Sequence, residues 1–357
     1  MSARALVIGG TGPTGPHIVA GLCDREFEVT VLHRGLHEIP ELADVEHIHA
    51  DPHVGESLVD AIGTRRFDVV VAQYGRVKTI AEVFAGRCDQ LVAIGGVPVY
   101  RGALEPHATR PFGVPVNVSE DAPLADEGAT APPFAQLVVD AERAVLEHQV
   151  RGSYRASVVR YAIVYGPRNI VPWEWSVLRR VRDGRRTMIL PDDGLGITSR
   201  CAARNAAELV LAIVDHPDVA DGQAYNGADA QQFTFRQWVD LVAGVVDAEL
   251  EIVGLPMQLA EAAQTSLMPM PGIRPHLLLD TSKARQELGL RDVVSAPDAI
   301  ASSVRWLIDN PPADDLPHDQ FDYTAEDRLV TAYRRAIDDV RRATGIPASR
   351  PLRAYRY

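Results

Sequence analysis

Short apolar runs alternate along the first half of the chain with stretches in which apolar residues recur at every third and fourth position. The runs are "RALVIG" (4–9), "EVTVLHR" (28–34), "FDVVVAQ" (67–73) and "QLVAIGG" (90–96), with "VEHIHA" (45–50) as a shorter one. Helical periodicity fills the gaps, from about Thr14 to Cys23, after Asp51, and through "TIAEVFAG". Continuous apolar runs of this length predict strands buried on both faces, and their alternation with helices predicts a parallel sheet covered on both sides. "APPFAQLVVDAERAVLEHQ" (131–149) opens with Pro132 and Pro133, which suit a helix start, and places Phe134, Leu137, Val138, Ala141 and Val145 on one apolar face. "RASVVRYAIVYGP", ending at Pro167, then predicts one more buried strand. The expected class is α/β, a doubly wound parallel sheet.

From residue 166 the texture changes to Pro- and Trp-containing loops, an Arg-rich helix and further helices, which predicts a smaller second α/β lobe. The expected division is 1–165 with about 199–230 for the sheet domain, 166–198 with about 231–325 for the smaller lobe, and 323–357 for a C-terminal helix and tail. A formal net charge of −12 argues against general attraction to nucleic acid or an anionic membrane. No apolar run reaches the ~18 residues of a membrane span, and the N-terminus lacks the apolar core of a signal peptide. Cys23, Cys88 and Cys201 form no CxxC pair, so free thiols in a reducing cytoplasm are expected.

"VIGGTGPTGPHIV" (7–19) places Gly9, Gly12 and Gly15 between the first strand and the first helix. The first glycine permits the turn, the second admits a pyrophosphate, and the third allows close helix–strand packing, while the helix N-terminus offers N–H donors to phosphate. The loop residues Gly9, Thr11, Gly12, Pro13, Thr14 and Gly15 therefore form the expected dinucleotide-binding set. Cofactor choice is read at the end of the second strand, where an acidic residue would select NAD. His33 and Arg34 stand there instead, and an arginine can hold a 2′-phosphate, so NADP(H) is expected before NAD(H). Asp51, closing the third strand, suits an adenine contact. "HIHADPH" spaces His47, His49 and His53 like metal ligands, but no carboxylate or cysteine cluster accompanies them, and no metal site is expected.

The glycine loop, "FDVVV", "LVAIGGVPVY", "NVSEDAPL", "VVRYAIVYGP" and "GQAYNGA" together resemble the extended short-chain dehydrogenase/reductase superfamily in its NAD-dependent epimerase/dehydratase branch, over about residues 3–310. The resemblance implies a Rossmann lobe, a small substrate lobe and an active site between them. Members normally carry a serine after the fifth strand and Tyr-x-x-x-Lys on the next long helix. Aligning the family's helix glutamate with Glu142 places Phe134 and Val138 at the tyrosine and lysine positions, and Gly95 or Gly96 at the serine. A phenyl ring has no ionisable proton, so Phe134 cannot serve as a general acid.

Substitute proton donors are sought in "AQYGRVK" (72–78), whose Tyr74 and Lys78 border the expected cleft, and in Tyr100 at the end of the fifth strand. Phe134, Val138, Tyr165, His107 and Trp173 are expected to line the substrate. The diphosphate-binding arginine of sugar-nucleotide enzymes is missing from its usual place. Arg200 or the cluster Arg179, Arg180, Arg182, Arg185 and Arg186 remain as substitutes, although a solvated helix face accounts for the cluster better. Trp173, Trp175, Met188, Met268 and Met270 point to a rather apolar small molecule. The expected function is an NADP(H)-dependent oxidoreductase that reduces C=C or C=N without Tyr–Lys chemistry. A cofactor-binding sensor, scaffold or RNA-contacting protein, and a sugar-nucleotide epimerase or dehydratase, are the alternatives. Resembling proteins often dimerise through the helices that correspond to 78–87 and 133–149, and a homodimer is expected.

Overall fold

The computed structural model describes residues 2–73, 75–125, 131–256, 259, 276–312, 319 and 321–345. Its centre is a seven-stranded sheet, all parallel, built from β1 (Arg4–Ile8), β2 (Glu28–His33), β3 (Glu46–His49), β4 (Phe67–Ala72), β5 (Cys88–Gly96), β6 (Arg155–Tyr161) and β10 (Gln223–Gly227). The spatial order is β10-β6-β5-β4-β1-β2-β3, with each neighbour in parallel register. The chain reverses direction across the sheet between β1 and β4, and ligands of such sheets bind at the C-terminal edge of this switch point.

Both faces are dry, which is why the strands read as unbroken apolar runs. Ala5 and Val7 pack with Ile18 and Leu22 of α1 (Gly15–Asp24) and Val210 of α6 (Ala203–Asp215). Leu6 and Ile8 face the other way, onto Leu58 of α2 (Gly55–Ile62) and Ile80 and Phe84 of α3 (Val77–Phe84). The long helix α4 (Pro133–Val150) follows β5, as its proline start predicts.

The strand expected through Pro167 breaks at Ala162. Beyond Tyr161 the backbone leaves the sheet, and β7 (Ile163–Tyr165) pairs with β9 (Arg200–Ala202) instead. A second core lies here, formed by α5 (Trp173–Arg182), α8 (Phe235–Gly244), α10 (Ala296–Asp309) and the parallel pair β8 (Thr187–Pro191) and β11 (Glu251–Leu255). The short helices α7 (Pro217–Ala220) and α9 (Ser282–Glu287) flank β10. Thr234 caps α8 reciprocally with Gln237, and Ser295 caps α10 through the Asp298 N–H.

The Arg-rich segment is a solvated face only in part: Arg182 and Arg186 are exposed, but Arg180 is not. Arg180 is fully buried, donating to Asp319 at 2.6 Å, to Glu326 at 2.5 Å and to the Ser176 carbonyl at 2.9 Å. Arg185 pairs with Asp327 at 2.6 Å. These bonds dock α11 (Tyr323–Thr344), whose Leu329, Val330 and Tyr333 pack on Ile189 and Leu255. Trp175 and Met188 belong to the second core, and Met268 and Met270 lie outside the described residues. Among the described residues no helix is long and apolar enough to cross a membrane.

Candidate functional site

The glycine loop forms the floor of the crevice at the β1–α1 junction. Gly9 sits at φ +90°, a left-handed conformation that favours glycine, and its N–H donates to the Leu32 carbonyl at 2.9 Å. A Cβ on Gly15 would lie 1.9 Å from the Gly10 carbonyl oxygen, so no side chain fits there. A Cβ on Gly12 would meet no described atom within 4 Å; it points into open space, as a phosphate cradle requires. Thr14 donates to Gln73 Oε1 at 2.5 Å across the switch point. The same amide's Nε2 is buried and finds no partner among the described residues. An orphaned buried donor beside a glycine cradle fits an oxygen-rich ligand. Gln73 escaped the sequence reading because a polar residue ending an apolar strand is unremarkable until Thr14 fixes its orientation.

At the end of β2, His33 is buried and Arg34 is exposed. Burial first, then the neighbouring His47 and His49, lower the His33 pKa, while Glu38 opposes the change. Asp51 accepts the His53 N–H and His53 Nδ1, both at 2.9 Å. Those bonds, with smaller contributions from the charges of His53 and Arg34, lower its pKa.

The expected proton donors are scattered. Tyr74 lies outside the described residues, and Lys78 is exposed at the start of α3. Tyr100 does not face the cleft with its hydroxyl. It is 1% exposed, donates to Asn226 at 2.6 Å and receives Arg160 at 3.2 Å, and burial pushes its pKa up to about 12. Tyr165 is also turned inward, donating to Asp229 at 2.8 Å and meeting Trp238 edge-on, so it builds the second core rather than a substrate wall. His107 is exposed, with its ring edge on Phe112. Trp173 is half-buried beside Phe235 and Arg200. Arg200 itself is buried over the Trp238, Phe235 and Trp173 rings, at 4.2, 5.2 and 5.6 Å from their centroids, and does not reach toward a diphosphate.

Phe134 is 60% exposed in the first turn of α4, with Leu137 exposed one turn on and the adjoining Val138 half-buried against the core. A small pocket of about 110 Å³ lies beside this turn, lined by Pro132 just before α4, by Ala135 within it and by Leu104, Ala108 and Tyr100 opposite. Behind it, Glu142 and Arg160 form a buried ion pair at 2.9 Å. A Cβ on Gly95 would come within 3.1 Å of Glu142 Oε1, so the pair occupies the space that a larger residue at 95 would need.

No family model matches the chain. A 3-diazoavenalumate denitrifying reductase from a Streptomyces species is 30% identical over 231 residues, spanning 59% of this chain and 72% of that protein. Among solved structures, a dTDP-glucose 4,6-dehydratase from Bacillus anthracis in complex with NAD matches with a TM-score of 0.67 at 15% identity, covering 87% of this chain and 97% of that one. A UDP-glucose 4-epimerase from Thermotoga maritima, with UDP-glucose, gives 0.67 at 17% identity, covering 87% of this chain and 100% of that one. Identities this low establish the shared fold.

Proposed function

Because the chain belongs to the short-chain dehydrogenase/reductase superfamily, in its NAD-dependent epimerase/dehydratase branch, we propose that it is a nicotinamide-dependent reductase of a small, rather apolar acceptor. The observation that carries this reading is Phe134, an exposed apolar ring in the turn where the family places its proton-donating tyrosine. The glycine loop, with Thr14 and Gln73, would hold the pyrophosphate, Arg34 a 2′-phosphate and Asp51 the adenine. NADP(H) is favoured over NAD(H) because the end of β2 carries His33 and Arg34 where an acidic residue would select NAD. Bound there, the dihydronicotinamide supplies a hydride equivalent. Phe134 and Val138 then shape an apolar wall and exclude water, and they transfer no proton.

Such a site suits an acceptor that needs no acid from the protein. An aryl diazonium group is already cationic: one hydride equivalent converts it to the arene with loss of dinitrogen, and no further proton enters the balance. The name of the Streptomyces relative supports this acceptor class. A neutral C=C or C=N acceptor would instead draw a proton from water or from the exposed Lys78. The protein is proposed to work in the cytoplasm as a homodimer, with α3 and the exposed Leu137 edge of α4 at the partner.

The test is nicotinamide fluorescence with NADPH and NADH, followed by enzyme-dependent oxidation at 340 nm with a stable arenediazonium salt and detection of the arene. The expected result is tighter NADPH binding and turnover that survives Phe134→Leu. Binding of neither nucleotide would overturn the reading, and collapse of turnover in Phe134→Leu with binding intact would remove its carrying argument.

A further inference from the structure

His33 closes β2, His47 and His49 lie on β3, and Glu38 lies in the segment between the two strands. In parallel register His33 stands opposite His49, and His47 lies two residues earlier on the same strand, so all three imidazoles leave one face of the sheet. One ligating atom from each imidazole and a carboxylate oxygen of Glu38 all lie within 4.8 Å of one another. Asp51, the carboxylate within residues 47–53, is not part of this group; Glu38 supplies its carboxylate. His53 is not part of the group; it is held on Asp51 at 2.9 Å.

We propose that His33, His47, His49 and Glu38 form a binding site for a divalent ion of the zinc class. Three neutral nitrogens and one carboxylate oxygen are a borderline donor set, which suits Zn²⁺, Co²⁺ or Ni²⁺ and not Mg²⁺ or Ca²⁺. With bonds of about 2.0–2.1 Å, the ligand atoms of a tetrahedral zinc stand about 3.3 Å apart. His49 Nε2 and Glu38 Oε1 are already at 3.3 Å. His33 Nε2 and His47 Nδ1 stand at 2.6 Å, sharing one proton, and must open by less than an ångström.

The surrounding contacts prepare the ligands. His47 Nε2–H donates to the Leu42 carbonyl at 2.8 Å, which fixes the tautomer and turns the Nδ1 lone pair into the cluster, the outer-shell arrangement common to metal-bound histidine. When the ion enters, the proton between His33 and His47 moves to His33 Nδ1. That nitrogen now accepts the Gly35 N–H at 3.0 Å, and Gly35, a glycine at φ +73°, is free to turn its peptide away. His49 and Glu38 are exposed, so the site opens to solvent. The placement beside Arg34 also couples the ion to the edge of the crevice where a dinucleotide ribose would lie.

The experiment is titration of the chelator-treated, full-length protein with Co²⁺, followed by its visible d–d absorption. The expected result is one equivalent giving an intense tetrahedral band, which one equivalent of Zn²⁺ abolishes. His49→Ala and Glu38→Gln change exposed side chains and leave the fold intact, so circular dichroism stays unchanged while affinity falls by more than the roughly tenfold that loss of an outer-shell partner costs. His53→Ala binds as the parent does. A weak octahedral spectrum, or equal affinity in His49→Ala, would overturn the site. So would an equal loss in His53→Ala. None of these outcomes depends on nucleotide binding, so the metal site can fail while the reductase reading stands.

Discussion

Replacing Arg160 by leucine tests the architecture behind the α4 turn. Arg160 Nε donates to both Glu142 oxygens at 3.2 Å, and Nη2 adds a bond at 2.9 Å. Its Nη1 serves the Glu120 carbonyl at 2.8 Å and the Tyr100 hydroxyl at 3.2 Å. Both charged side chains are only 6% exposed, so solvent screens the pair little. Removing one partner strands a buried carboxylate, and the expected loss is about 3–5 kcal/mol of stability. Replacing both, as in Glu142→Leu with Arg160→Leu, removes the stranded charge and is expected to recover about 2 kcal/mol of that loss. Burial raises the Glu142 pKa even with Arg160 present, and loss of the guanidinium moves it further up. Protonation then relieves the variant, so the Arg160→Leu defect should shrink at pH 5 and grow as pH rises through the shifted pKa. Urea unfolding followed by circular dichroism is the assay. Tryptophan emission reports elsewhere, since Trp173, Trp175, Trp238 and Trp306 all belong to the second core. A single-variant loss under about 1 kcal/mol, or a double variant no better than the sum of the singles, would refute the reasoning.

Alkaline stability follows from buried thiols and phenols, of which Cys88 and Tyr100 are two. Burial raises Cys88 from 9.0 to about 12 and Tyr100 from 10.0 to about 12, so the unfolded chain ionises first and stability falls once pH exceeds 9. Between pH 8 and 11 these two groups alone should cost about 4 kcal/mol, with the buried Cys201, Tyr154 and Tyr161 adding to the loss in the same direction, and about 1.4 kcal/mol disappears from the pH dependence in Tyr100→Phe; a flat urea midpoint over this range would contradict it. Native protein at pH 8 should yield one fast thiol to Ellman's reagent, the exposed Cys23, while the buried Cys88 and Cys201 react after denaturation. Gly12→Val should leave stability within about 0.5 kcal/mol, because an added Cβ meets no described atom, yet weaken NADPH binding by about tenfold or more. Undiminished binding in the fluorescence titration would remove Gly12 from the cradle.

Local sequence pattern determined the α/β class, the strand and helix order and the glycine loop, because these follow from period and from backbone freedom within a few residues. Ala5 and Val7 against Leu6 and Ile8 are legible as two dry faces without any coordinates. The absence of tyrosine and lysine from the α4 helix is legible in the same way. Side-chain direction was not. Tyr100 and Tyr165 read as cleft residues by position, yet both hydroxyls turn inward because Asn226 and Asp229, more than sixty residues away, supply their acceptors. Arg180 reads as a surface charge on its own helix, and only the return of the chain at Asp319 and Glu326 buries it. The histidines of β3 read as an incomplete metal set, because His33 and Glu38 become their neighbours only when β2 pairs with β3. Periodicity fixes which residues share a face; long-range pairing alone decides which chemical groups meet on it.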